Sequence, residues 1–581
     1  MKRTQLFSLV ILALFIMLIS SFNYGQNRET KTESVPVNKN MFTPEQWIED
    51  INYAVKRLEI THPDLYANVS REKFNKFADE LRSKAKASSD VNMYIGIMEL
   101  VAMVKDGHTW ISWGNGALKS LLHSTPFSLY MFYDGLFVVT AMDKYKSLIG
   151  KKIVKVGNAS TEEFMKRRAR IKTAENKTGE LSPIDLYLEE LQYLNIIEPG
   201  EKIRITFEDK NGIREEVEIE PVLPKVYFQP LNPLKNGSKN SMNGNSVNPV
   251  PLWISSLDSN GRVKDRYWYK YLPEWEAVYM QINECVNKNE EPFDKFYQRM
   301  FKTLDGKKAK RLIIDLRNNS GGDHYEKPLL IGIIERPDIN KSDNLFLITG
   351  RRTFSAAQHF VMQLTQYTNV TTFGEPTAAR PNYFGAVQGF SLANSRIYVS
   401  VSTKLWQDSS PDDFRPLTEP DFYVPLSSTD YRENHDPVLE QIFKYNSYED
   451  LRPEFLEKMS KAYSDGGIEK LKMVYADIKP AYTKYGFNME NLLYKDLDVW
   501  MSNNKKSDEG YIAFLRFLRQ ELPNSIDVCW DLAYWLNKPE NKEERIYLYK
   551  KCLEINPAHY LAKMRLDLIE LEEAQSKAKN K

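Results

Sequence analysis

Two segments of the 581-residue chain carry residue types that could run an acyl transfer. The first, Arg311-Leu-Ile-Ile-Asp315-Leu-Arg317-Asn-Asn-Ser-Gly321-Gly322, is an apolar run that breaks into an Asn/Gly turn. The second is Thr353-Phe-Ser355-Ala-Ala-Gln358. Residues 312–316 read as a buried strand. Residues 345–349 read as another, followed by a turn and a helix through Ala356, Phe360 and Leu364. A serine at a strand-to-helix turn exposes its hydroxyl, and a helix N-terminus favours nearby negative charge. Ser355 is therefore the candidate nucleophile. Gly321 and Gly322 can offer backbone N–H groups with no Cβ in the way, and the Ala356 N–H adjoins the hydroxyl, so these three form the candidate oxyanion hole. A seryl hydroxyl stays a weak nucleophile until a base takes its proton, and no base is supplied by either segment.

In order along the chain, these segments resemble the C-terminal processing (tail-specific) and tricorn-core serine peptidases. That family carries a strand ending in D-L-R-N-N-x-G-G and a nucleophile in a T-x-S-A-x-E-like turn. Thr371-Thr-Phe-Gly-Glu375-Pro-Thr377 is similar to its G-E-x-T strand end, and Glu419-Pro420-Asp421-Phe-Tyr-Val424 to its closing P-D-x-x-V. The resemblance covers about residues 41–445 and implies a serine peptidase acting on polypeptides. In the processing branch the base is a lysine shortly after G-E-x-T. That position here falls at Arg380, and a guanidinium cannot give up its proton. The tricorn-like branch instead takes a histidine from upstream. His108, in Asp106-Gly-His108-Thr109, is similar to it, and a neutral imidazole suits the task. His324 and His359, close to the site in sequence, are its rivals. The branch also implies an acid before the closing strand. Asp413, 58 positions after Ser355, is preferred, with Asp412 nearly as good and Glu375 open. Asp315 and Arg317 are expected to hold their turn rather than react.

Composition sets the wider class. Hydrophobic residues make up 42% and charged residues 27%, as in an ordinary globular protein. Lysine plus arginine, 79, balances aspartate plus glutamate, 78, so nucleic acid is not an expected partner. Cys285, Cys529 and Cys552 are too few and scattered for a disulfide framework, and neither they nor the seven histidines show zinc-ligand spacing. No metal and no cofactor is expected. Residues 1–25 read as a secretory signal peptide, with Lys2 and Arg3 before an apolar stretch at 6–19. The alternative is a membrane anchor, but 14 apolar residues fall short of the ~20 a bilayer requires. The expected mature protein is exported, periplasmic or secreted, with no stable membrane span.

The fold class is α/β multidomain. A helical unit is placed at 41–115, starting at an N-cap on Thr43 with Pro44 behind it. A PDZ-like β domain follows at 120–225, able to add a peptide at a sheet edge or serving only as scaffold. A loop-rich linker spans 226–267, and the α/β tricorn-core-like peptidase domain 268–445. Residues 446–581 read as all-α. Pro523 and Pro557 lie 34 positions apart, as do Leu518 and Cys552 and Leu532 and Leu566, a tetratricopeptide-like period. These repeats either dock a protein partner or cap the chain. Two further functions stay open: a catalytically decayed peptide-binding or scaffold protein, and another serine hydrolase such as an esterase. The latter is weakened because no Gly-x-Ser-x-Gly elbow frames Ser355.

Overall fold

The computed structural model describes residues 41–112, 118, 121–181, 184–223, 265–433, 435–445, 451–484, 489–505, 507–556 and 559–579. The signal-peptide reading of 1–25, most of the 226–267 linker and Pro557 lie outside them. Residues 42–581 form one compact unit.

Three helices come first: α1 (Pro44–Thr61), α2 (Arg71–Lys84) and α3 (Asp90–Ala102). Thr43 caps α1 by accepting the Gln46 N–H, and the Gln46 side chain accepts the Thr43 N–H in return. A short strand β1 (Trp110–Ser112) leads to an antiparallel sheet. It comprises β2 (Phe127–Phe132), β3 (Gly135–Ala141), β4 (Lys152–Val156), β5 (Ala159–Ser160), β6 (Ile203–Glu208) and β7 (Arg214–Ile219), with α4 (Thr161–Arg168) after β5. Ile203, Ile205 and Phe207 alternate inward along β6, as a half-buried strand requires. They share one apolar core with Trp47, Ile51 and Leu58 of α1 and with Val399 and Val401 further along the chain. The helical unit and the β domain are thus packed as one body.

The second sheet has strand order β15-β12-β11-β10-β9-β8. Its members are β8 (Tyr267–Leu272), β9 (Ala277–Ile282), β10 (Arg311–Asp315), β11 (Leu345–Thr349), β12 (Thr371–Gly374) and β15 (Phe422–Tyr423). All neighbours run parallel except β8 and β9. The near-continuous apolar runs of β9, β10 and β11 follow from burial on both faces. Leu312, Ile314, Leu345 and Leu347 point to a core with α5 (Phe293–Gly306), α6 (Lys327–Ile334) and α7 (Ala356–Tyr367). The alternate residues Ile313, Phe346 and Ile348 pack instead with the C-terminal helices. Each such side chain, fully buried, contributes about 1.5–3 kcal/mol. A hairpin of β13 (Asn382–Ser391) and β14 (Tyr398–Gln407) rises from the core, and β1 adds to it antiparallel, pairing Trp110 with Ser400.

The C-terminal helices are α8 (Pro437–Tyr445), α9 (Leu451–Lys484), α10 (Asp498–Asn504), α11 (Asp508–Glu521), α12 (Ile526–Trp535), α13 (Lys542–Ile555) and α14 (Tyr560–Lys579). α9 is broken at Gly466–Gly467, where Gly467 takes a φ of 64°. The starts of α11 and α13, and likewise of α12 and α14, are offset by 34 positions. Cys529 and Cys552 are buried free thiols, as is Cys285. Among the described residues no helix is long and apolar enough to cross a membrane.

Candidate active site

Parallel strands bring their carboxyl ends, and the turns after them, to one edge of the sheet. β10 ends at Asp315, whose carboxylate accepts the Tyr279 hydroxyl at 2.6 Å, the Arg317 N–H at 3.0 Å and Arg317 Nε at 3.1 Å. Arg317 also donates to Asp436 at 3.1 Å, so the turn is pinned at its start. Two residues on, the Asn319 side chain accepts the Gly321 N–H at 2.9 Å, while its carbonyl accepts the Phe354 N–H at 3.1 Å. The two sequence segments are thereby tied together.

Ser355 stands immediately before α7 with φ 57° and ψ −128°, a left-handed backbone that costs a non-glycine residue about 1–3 kcal/mol. The Tyr383 hydroxyl donates to its carbonyl at 3.1 Å. Such strain, held by surrounding bonds, sharpens the turn and leaves the hydroxyl on its outside. Gly321 (φ 110°) abuts it: a Cβ there would meet the Ser355 Cβ at 2.6 Å. This changes the role expected for Gly321. Its N–H is already given to Asn319 and is not free for an oxyanion, so the residue serves by permitting close approach. The N–H groups of Gly322 and Ala356 are taken by no protein acceptor among the described residues. Gly321→Ala combines a disallowed φ with that clash and should lower kcat/KM about 10²-fold by misplacing Ser355. Steady-state assays check this, and parental kcat/KM would refute it.

The His108 turn reaches this edge from the other end of the chain. Asp106 is buried and organises it. Its Oδ1 accepts the His108 N–H at 2.9 Å, and its Oδ2 accepts the hydroxyls of Thr109 at 2.5 Å and Ser402 at 2.6 Å. His62 completes the set: its Nδ1 accepts the Asp64 N–H, so its Nε2 carries the proton donated to Asp106 at 3.2 Å. Burial opposes the charge on Asp106, but the His62 bond, the His108 charge and the two hydroxyls hold its pKa below the usual carboxylate range. With β1 paired to β14, the turn is fixed to the core. The His108 ring stacks on Phe354, the residue before Ser355, at 4.3 Å and on Tyr383 at 5.8 Å. Both of its ring nitrogens are buried without a hydrogen-bond partner.

Asp413 is not beside the imidazole. Its carboxylate is held by Arg415, Nε at 2.9 Å and Nη2 at 2.6 Å, and by the Ser409 hydroxyl at 2.6 Å. Asp412 bonds Ser410, and Glu375 pairs with Arg351. The acid that faces His108 is Glu175, with Oε1 at 3.7 Å from Nδ1. Asp106 lies at 3.9 Å, but its oxygens are committed to the turn. Glu175 Oε2 accepts the Arg380 N–H at 3.0 Å, and Oε1 is left without a partner. Burial raises the Glu175 pKa, partly offset by His108. Arg380, at the lysine position of the processing branch, thus contacts the acid rather than the serine.

The rival histidines are held by other carboxylates. His359 is one turn into α7, with Nδ1 at 2.7 Å from Asp408 and Nε2 at 3.1 Å from Glu326. Burial works against its charge, but these two carboxylates push its pKa up to about 9. An imidazolium clamped in this way is already protonated at neutral pH and cannot accept a seryl proton.

Residues 276–339, which include the Asp315–Gly322 turn, match the model of peptidase family S41. Over that segment the chain is similar to the S41 peptidases. Similar solved structures of low identity include mature CPAF complexed with lactacystin, at 12% identity and TM-score 0.45 over 69% of this chain and 97% of that one. The photosystem II D1 C-terminal processing protease gives 12% and 0.31 over 69% and 97%. Tricorn protease gives 13% and 0.32 over 69% and 36%. No curated protein sequence matches. A cavity of about 1530 Å³ is lined by Glu175 and Arg380 and, from the C-terminal helices, by Asp527 and Lys563.

Proposed function

We infer that this protein is an S41-type serine peptidase that hydrolyses peptide bonds in exported polypeptides, with Ser355 as nucleophile, His108 as base and Glu175 as the acid that supports it. His108 Nε2 takes the proton as Ser355 Oγ attacks the scissile carbonyl. The oxyanion of the tetrahedral intermediate accepts the Ala356 and Gly322 N–H groups. The imidazolium then returns the proton to the leaving amine, and water repeats the cycle on the acyl-enzyme. Glu175 Oε1 stabilises the imidazolium at Nδ1 once the 3.7 Å gap closes on substrate.

The observation that carries this reading is the pairing of unbonded groups. The His108 ring nitrogens and Glu175 Oε1 are buried, face one another and have no other partner, while every oxygen of Asp106 and Asp413 is engaged. Buried polar atoms left open at such a density suit a site that acts on a substrate. In the same reading the β2–β7 sheet is PDZ-like and presents an edge to peptide, and the 34-residue helical offset is tetratricopeptide-like, a surface for a protein partner. Export rests on the 1–25 leader pattern.

The acid decides between assignments. Glu175→Gln should slow acylation by about 10² to 10⁴, whereas Asp413→Asn should leave it near the parental rate. Stopped-flow acylation with an ester substrate measures both. A healthy Glu175→Gln enzyme beside a dead Asp413→Asn enzyme would return the acid to the position preferred from sequence.

A further inference from the structure

His324, Glu326 and His359 each place one ligand atom within 4.8 Å of the others. We propose that these three residues bind a divalent first-row metal ion, zinc being the best match, and that Asp408 orients His359 for it. Two imidazoles and a carboxylate are a donor set that suits zinc with one position left for water. Asp408 Oδ1 lies 2.7 Å from His359 Nδ1, so it accepts Nδ1–H and aims Nε2 at Glu326, where an incoming ion would displace the Nε2 proton. A carboxylate behind a metal-binding histidine is the usual arrangement of such sites.

The spacing is near what coordination needs. Ligands about 2.0–2.1 Å from zinc in a tetrahedron stand about 3.3 Å apart. Glu326 Oε1 and His359 Nε2 are at 3.1 Å already. His324 Nδ1 is 4.0 Å from Glu326 Oε2, and its side chain, 32% exposed, has room to rotate inward. The His324 and His359 rings meet edge to face at 4.3 Å, with Trp406 against His324 at 4.7 Å.

The charge points the same way. Glu326 and Asp408 are each 8% exposed, and both contact the single His359 ring. Glu326 Oε2 and Asp408 Oδ2 are buried without a hydrogen-bond partner. Unpaired anionic oxygens of this kind are costly unless a cation reaches them. Bound there, the ion would brace the arm that leaves Gly322 against α7 and so tie both sides of the Ser355 turn. The site uses no group of the proposed triad, so its test is independent of whether that triad is right.

Isothermal titration of the metal-stripped, full-length protein with zinc chloride provides the test, supported by visible absorption of the cobalt-loaded form. The expected result is one zinc per chain with a Kd in the micromolar range or tighter, and a thermal midpoint that rises with zinc. His324→Ala, at a part-exposed position that should not disturb folding, and Glu326→Gln should each weaken binding more than about 100-fold and abolish the thermal shift; Asp408→Asn should weaken it about 10- to 100-fold. Binding no tighter than millimolar would overturn the proposal and leave an ion-pair cluster. So would tight binding that survives both ligand substitutions in variants with parental circular dichroism.

Discussion

Ser355→Ala should reduce kcat on any peptide substrate by about 10⁴ to 10⁶ while the protein stays folded. The effect is this large because no other group at the β11–α7 turn can attack: Thr353 Oγ1 is committed to the Leu316 carbonyl at 2.9 Å, and Phe354 and Ala356 have no nucleophile. Folding should survive because the Ser355 hydroxyl contributes no hydrogen bond to the turn, which is held through backbone groups by Asn319 and Tyr383. Removing Oγ therefore deletes chemistry and leaves the geometry. Turnover of a quenched fluorescent peptide, with circular dichroism as the control, measures both halves. Undiminished turnover in a folded variant would remove Ser355 from the mechanism.

His108→Ala should cost about 10² to 10⁴ in the acylation rate, and Arg380→Ala far less. Both residues meet Glu175, yet only the imidazole can cycle a proton near neutral pH. Arg380 reaches Glu175 through its backbone N–H, which alanine keeps. The comparison is thus between losing the base and losing a neighbouring charge. Acylation rates of the two variants, taken side by side, check the ordering; a dead Arg380→Ala enzyme with a healthy His108→Ala enzyme would reverse it.

Much of this site was legible in the sequence because it is built from local pattern. The apolar runs at 312–316 and 345–349, the Asn-Asn-Ser-Gly-Gly turn and the serine before an apolar helical face each specify their own conformation within about ten residues. The motif Asp106-Gly-His108-Thr109 was legible only through family resemblance, since nothing local says that it meets a turn almost 250 positions later. Its partner Glu175 had no signal at all. It sits in a loop between α4 and β6 and becomes a carboxylate facing the His108 ring only when the first core folds against the β13–β14 hairpin. Asp413 misled for a physical reason that is visible in retrospect. Arg415 lies two positions on and takes its carboxylate in a bidentate pair, which a neighbour wins at little entropic cost. The role of Gly321 shifted for a similar local reason, because an asparagine side chain readily accepts the N–H two residues ahead. His324, Glu326 and His359 have no zinc spacing along the chain. They come together through the packing of the Gly322 arm against α7.

The central claim is that Ser355 is activated by His108 across that long separation. A fluorophosphonate probe, with the labelled residue mapped by mass spectrometry and the labelling rate followed in the parent and in His108→Ala, tests it most directly. The account predicts a single label on Ser355 and a rate that falls by about 10² to 10⁴ when His108 is removed. A label on another serine, no label on the folded parent, or Ser355 labelled at the parental rate without His108 would contradict it.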